Sequence, residues 1–290
     1  MLINRAGEVD SHTGSVRARH TVRTISTVSA GISLLSKHFK INIYYDSKWV
    51  EGHTSKYSMT RLNSADTGEK LRLLHGMEYA LQTAGHKAMI DVAYHKNLAD
   101  AEVEPQKVTV YLCKSIRTKG LNASDIYGLT DAGNNMWLAA FSTRKRDSFY
   151  SSLYNIMVHE VFHLFYFQSS DFVQDRTRGQ LNAGTLRTTY NGDIKYYGSG
   201  YGGTNDSEGV YDGTEDGATT ARFLTKYSKL DNLEDISETL SILAIQPQAR
   251  RFMASDTYIY RKALYISDVF GAEYSCIDAW RPYRWLRYAG

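Results

Sequence analysis

The chain has 290 residues, 42% hydrophobic and 22% charged, with a formal charge of +3; these values allow a large core and one big or two modest domains. The small charge gives no basis for nucleic acid as the main partner, and no apolar run is long enough to span a bilayer. Tyrosine is abundant (22) and proline scarce (three), which fits either an aromatic binding surface or a tyrosine-rich core edge.

The opening residues lack the apolar middle of a secretory leader, so export by that route is not expected. The compartment stays open, and a secreted, toxin-like or virion-associated protein is compatible with it. The two cysteines, Cys113 and Cys276, form no visible disulfide framework and read as lone thiols.

In chain order, residues 21–40 predict a helix carrying Val28, Ile32, Leu35 and Phe39, followed by a strand at 41–45. Asp66 with Glu69 three residues on makes a capping box for a helix carrying Leu71, Leu74, Met77 and Leu81. The β-branched run 107–116 predicts a strand, and a further strand at 136–142 follows the turn-like segment 131–134. From about 148 to 167 the chain is apolar almost all round, the pattern of a buried helix. His159, Glu160 and His163 sit inside that run, where polar groups are costly without partners.

Ten of the 22 glycines fall between Gly179 and Gly217, interleaved with Tyr196, Tyr197, Tyr201 and Tyr211. A connection this long is usually functional. Within it, Asn191-Gly192 predicts a β-hairpin between 185–190 and 193–197. A helix is expected from Asp231 through Leu240 to Ile245, ending at Pro247, and another from Ala249 to about Ile266. The expected organisation is a single domain over 1–290. An α/β part covers 21–147; the metal helix, the Gly/Tyr-rich insertion and a helical half fill 148–290.

Residues i and i+4 share a helix face, so His159 and His163 can turn their imidazoles to one metal ion. Zinc takes neutral nitrogen ligands and keeps a position open for water, whose pKa it lowers; Glu160 is placed to take and return the proton. An HExxH pattern arises by chance in about 0.01 chains of this composition. The plainer alternative is two core histidines bonded to carbonyls.

A third ligand is needed, and no histidine follows His163. Upstream histidines (His75, His86, His95) and downstream carboxylates compete. Glu234 and Glu238 lie four apart on an expected helix, so one can bind metal while the other hydrogen-bonds a ligating histidine from behind. Asp231 with Glu234 is also a capping box that needs no metal. The rival carboxylate is Asp216, in Gly213-Thr214-Glu215-Asp216-Gly217.

The tracts VHEVFHLFYF and YSKLDNLEDISETLSIL resemble those of gluzincin metallopeptidases, most nearly the anthrax lethal-factor-like and related zinc-binding metallopeptidases. The likeness rests on the HExxH segment, the acidic pair Glu234 and Glu238, Ser237 before the second acid, and Tyr227 seven residues before the first. It covers about 40 residues. It implies an α+β, zincin-like fold with a small mixed sheet, an HExxH active-site helix and a helical C-terminal half. It also implies one Zn2+ held by His159, His163 and Glu234, with Glu238 behind a ligand, Glu160 as general base and Tyr227 at the oxyanion. The substrate would be a peptide or protein. The chain departs from the family in its Gly/Tyr-rich insertion and in Ser237, where alanine is usual. Asp216 keeps a partial likeness to aspartate-ligand zinc peptidases. In the resembled fold a strand such as 134–142 lies at the sheet edge and pairs with substrate; an ordinary sheet strand is the alternative. The basic aromatic segments 15–23 and 280–288 read as solvated or docking tails. The competing function is a binding or structural module, a toxin or virion component, that keeps metal only as a staple.

Overall fold

The computed structural model describes residues 25–45, 56–82, 107–119, 125–131, 133–140, 156–157, 159–164, 183–196, 207–212, 214–245, 252 and 257–273. The chain divides into two compact units, 2–168 and 169–290. Among the described residues no helix is long and apolar enough to cross a membrane.

The first unit is mixed α/β. Helix α1 (Val28–Phe39) starts where extended Thr27 turns its hydroxyl to the Ala30 N–H at 3.2 Å, and stops at left-handed Lys40. The expected start at 21 was too early; Ile25 is buried and precedes the helix. Helix α2 (Thr67–Gln82) buries Leu73, Leu74, Met77 and Leu81 and packs on α1. Its capping box is not what forms. The Asp66 carboxylate instead accepts from the N–H of Asn63, three residues before it, at 2.8 Å and from the distant Lys114 ammonium at 3.1 Å, one on each oxygen.

Among the described residues the sheet has six strands: β1 (Ile41–Tyr44), β2 (Tyr57–Arg61), β3 (Val108–Thr118), β4 (Asp125–Ile126), β5 (Gly128–Thr130) and β6 (Asn135–Ala139). Eleven-residue β3 is its spine. The first half of β3 lies parallel between β1 and β6, and its second half antiparallel between β2 and β4. β5 pairs antiparallel with β6 through a loop in which Asp131 accepts from the Gly133 and Asn135 N–H groups. Period-two alternation gives the sheet two sides. Val108, Val110, Met136 and Leu138 are fully buried on one; Cys113, Trp137 and Ala139 form a cluster with Tyr111 and Leu129 on the other. Cys113 is free, and burial pushes its thiol pKa up. Cys276 lies outside the described residues. Among the described residues β6 lies between β3 and β5, so of the two readings of 134–142 the ordinary sheet strand is the one that the structure has.

The elements described in the second unit are α3 (Ala183–Thr189), α4 (Glu215–Thr220), a 3₁₀ turn (Tyr227–Lys229), α5 (Asn232–Ile245) and α6 (Tyr258–Glu273), with an isolated β-bridge between Val210 and Phe223. No hairpin forms around Asn191-Gly192. Residues 183–189 are helical, and the Tyr190 and Asn191 N–H groups both bond the Leu186 carbonyl. The positive φ angles of Gly192 and Asp193 end that helix instead of turning a strand pair. Leu186, fully buried, shows that packing overrode the β-branched threonines. The helix expected from 249 to about 266 is not continuous: Phe252 is helical, Thr257 is not, and the last helix begins at Tyr258. Thr257 caps it, its hydroxyl accepting from the Tyr260 N–H at 3.1 Å.

A buried polar network ties α5 to α6. Lys262 Nζ donates to both Asp235 oxygens at 2.9 Å and to the Arg222 carbonyl. Tyr196 donates its hydroxyl to Asp235 Oδ2 at 2.7 Å, and the Asn191 amide donates to Tyr196 at 2.9 Å. Burial pushes the Lys262 ammonium pKa down, against the pull of Asp235 and with the help of the Arg222 charge. Burial and the Asp235 charge push the Tyr196 phenol up.

Candidate functional site

In the first unit, residues 156–157 and 159–164 are helical. Met157, Val161, Phe162 and Leu164 are buried, so the apolar run supplies core contacts on several faces, as its composition requires. The polar residues are carried into that interior: His159 and Glu160 are 6% exposed and His163 9%.

One turn apart, the two histidines converge. Their Nε2 atoms stand 2.9 Å from each other, the rings edge to face with centroids 4.6 Å apart. Two imidazole nitrogens at that distance have two stable arrangements. Either one ring carries its proton on Nε2 and donates, or both lone pairs share a cation.

Glu160 turns to the sheet. Its Oε2 accepts the Thr130 hydroxyl at 2.5 Å, and the same hydroxyl is 3.4 Å from its backbone carbonyl. The sequence reading missed Thr130, because nothing near it in the chain marks a partner 30 residues away.

The second unit carries the acidic helix. Asp231 caps α5, its Oδ1 accepting from the Leu233 and Glu234 N–H groups at 2.9 and 3.0 Å. Half of the expected capping box is therefore present, while the Glu234 carboxylate is engaged by the Tyr227 hydroxyl, which donates to Oε1 at 3.0 Å. That tyrosine starts the 3₁₀ turn seven residues earlier, so the spacing noted in the sequence is a direct contact. Glu238 Oε2 accepts the Thr225 hydroxyl at 2.8 Å, a partner the sequence reading also missed. Ser237 is buried at 2% exposure. Glu234 and Glu238 are half-buried, each held by a hydroxyl from the segment before the helix.

Asp216, the rival carboxylate, is exposed on α4. Its tract serves as a cap. Thr214 Oγ1 accepts from the Gly217 N–H at 2.9 Å, and Asp212 braces Thr214 through its N–H and hydroxyl. These bonds lower the Asp212 pKa. Among the upstream histidines, His75 is half-buried on α2, and His86 and His95 lie outside the described residues, as do segments 15–23 and 280–288.

Comparison of the chain with protein-family models, with curated proteins and with solved structures finds no match.

Proposed function

We propose that the chain is a zinc-dependent metallopeptidase of the gluzincin kind, with a zincin-like arrangement around the HExxH helix. The observation that carries this reading is the convergence of His159 and His163, Nε2 to Nε2 at 2.9 Å, on a buried helix whose next residue is Glu160.

The donor chemistry fits the ion. Two imidazole nitrogens and a carboxylate make a set zinc accepts readily, leaving a fourth position for solvent or substrate. His159 and His163 of the first unit would supply the nitrogens, and Glu234, carried by α5 of the second unit, is the carboxylate that the family resemblance assigns to the third position. Zinc bound there would supply Lewis acidity, polarising a peptide carbonyl and bringing the pKa of a water toward neutrality.

The remaining chemistry belongs to the chain. Glu160 removes a proton from the attacking water and delivers it to the leaving amine, a two-way transfer suited to a carboxylate already fixed in place. Tyr227 holds Glu234 through its phenol in the resting site and offers the same O–H to the oxyanion as charge develops there. Glu238, steadied by Thr225, orients a ligand from behind.

A peptide library incubated with the full chain tests the reading. Cleavage that a chelator abolishes and added zinc restores is the expected result. A protein that binds zinc and cleaves nothing would instead be a metal-stapled module.

A further inference from the structure

We propose that Gly128 and Thr130, alternate residues of the outer strand β5, position the carboxylate of Glu160: Thr130 holds Oε2, and Gly128 leaves the room that the side chain and its Oε1 occupy. The inference rests on the peptidase reading of the site.

Strand alternation sets up the pair. In Gly128-Leu129-Thr130, Leu129 joins the Trp137 and Cys113 cluster on one side of the sheet, so its two neighbours face the other side. There they stand opposite Leu138 and Met136 of β6, both fully buried, and meet the helical residues Ile156 and Glu160. A glutamate has three rotatable side-chain bonds, and at 6% exposure little water is at hand to replace a lost donor. The Thr130 hydroxyl supplies that donor at 2.5 Å and also approaches the Glu160 carbonyl at 3.4 Å, so one group brackets the residue from backbone to carboxylate.

Gly128 acts from the other oxygen. A Cβ at this position would fall 2.6 Å from Oε1, 2.8 Å from Cγ and 2.8 Å from Ile156 Cγ2. Gly128 is not among the positive-φ glycines, so space and not backbone conformation calls for glycine. Thr130 thus fixes the carboxylate at Oε2, and Gly128 leaves space on the side of Oε1. Thr130 touches no reacting atom and is a positioning residue.

Thr130→Val keeps the β-branched shape and deletes only the hydroxyl; Thr130→Ser restores it; Gly128→Ala crowds Oε1 from the opposite side. In the zinc-loaded full chain, Thr130→Val and Gly128→Ala should each lower kcat about 10- to 100-fold, the scale of a misplaced catalytic group. KM should stay within about twofold, since the loss is confined to the reacting step, and zinc stoichiometry should be unchanged. Thr130→Ser should recover most of the rate.

A second readout needs no activity. Melting of the metal-free protein should fall by about 2–4 °C with Thr130→Val, the scale of one buried hydrogen bond in a chain this size. In a Glu160→Met background the same substitution should be neutral. Wild-type kcat in Thr130→Val, equal losses in the valine and serine variants, or a melting shift that persists without Glu160 would each overturn the proposal. A wild-type protein that cleaves no peptide ends the peptidase reading instead, and the melting cycle still decides whether Thr130 holds Glu160.

Discussion

Replacing Lys262 by methionine probes the anchor of the acidic helix. Both partners of the Asp235–Lys262 pair are 0% exposed, and the ammonium spends its hydrogens on the two Asp235 oxygens and the Arg222 carbonyl. Methionine fills similar volume against the Phe223 ring, 4.6 Å from the ammonium, but leaves Asp235 buried without a counter-charge. Breaking a buried pair from one side costs about 3–5 kcal/mol. Asp235 keeps the Tyr196 hydroxyl at 2.7 Å, with the Thr239 hydroxyl and Asn191 amide at 3.4 Å, so the lower end applies, about 3 kcal/mol. Urea unfolding of the metal-free protein measures it as a lower midpoint at unchanged slope. Adding Asp235→Asn removes the stranded charge and should recover most of the loss, because a pair removed together costs far less than one broken. A single-variant cost under about 1 kcal/mol, or a double variant no better than the single, would refute the claim that this buried pair sets the place of α5.

Glu234→Ala should release zinc while Asp216→Ala keeps it, as metal analysis of the purified variants will report; the reverse result transfers the ligand role to Asp216. Glu238→Ala should weaken zinc affinity by about 10- to 100-fold in a competition titration. Tyr227→Phe should lower kcat by about 10²-fold with KM nearly constant, the sign of a contact made in the transition state, and a fully active variant would confine Tyr227 to holding Glu234. The Asn63 N–H and the Lys114 ammonium hold the Asp66 carboxyl below its ordinary 3.8. A depressed folded pKa stabilises above the unfolded value and loses that contribution as pH falls through the folded one. Asp66→Asn should therefore melt below wild type at neutral pH and converge with it in acid; a constant difference would exclude the link.

The parts of this fold written in local patterns were legible. Alternating β-branched residues marked β3, the 3.6-residue period marked α2 and α5, and the all-round apolar run with three polar interruptions marked the histidine helix. Patterns with a distant competitor misled. Asp66 looked like a cap and bonds Lys114, 48 residues on. Asn191-Gly192 looked like a hairpin turn, but the Asn191 side chain reaches Asp235, 44 residues away, and the preceding threonines are held helical by buried Leu186. The start of α6 depends on one hydroxyl, that of Thr257, which no periodicity reveals. At the candidate site the histidines and acids could be read from spacing, and Tyr227 from resemblance. Their supports, Thr130 and Thr225, could not, because a threonine in a strand or loop carries no sign of the carboxylate it will meet.

The claim that Glu160 is a general base beside bound zinc has a direct measurement. Glu160→Gln keeps the size of the side chain and an oxygen to accept from Thr130, and removes the charge that takes the proton. Zinc content and cleavage of a single library-derived peptide, measured together on wild type and variant, decide the matter. The account predicts equal zinc and a loss of at least about 10²-fold in kcat/KM; equal zinc with near-wild-type, chelator-sensitive turnover would contradict it.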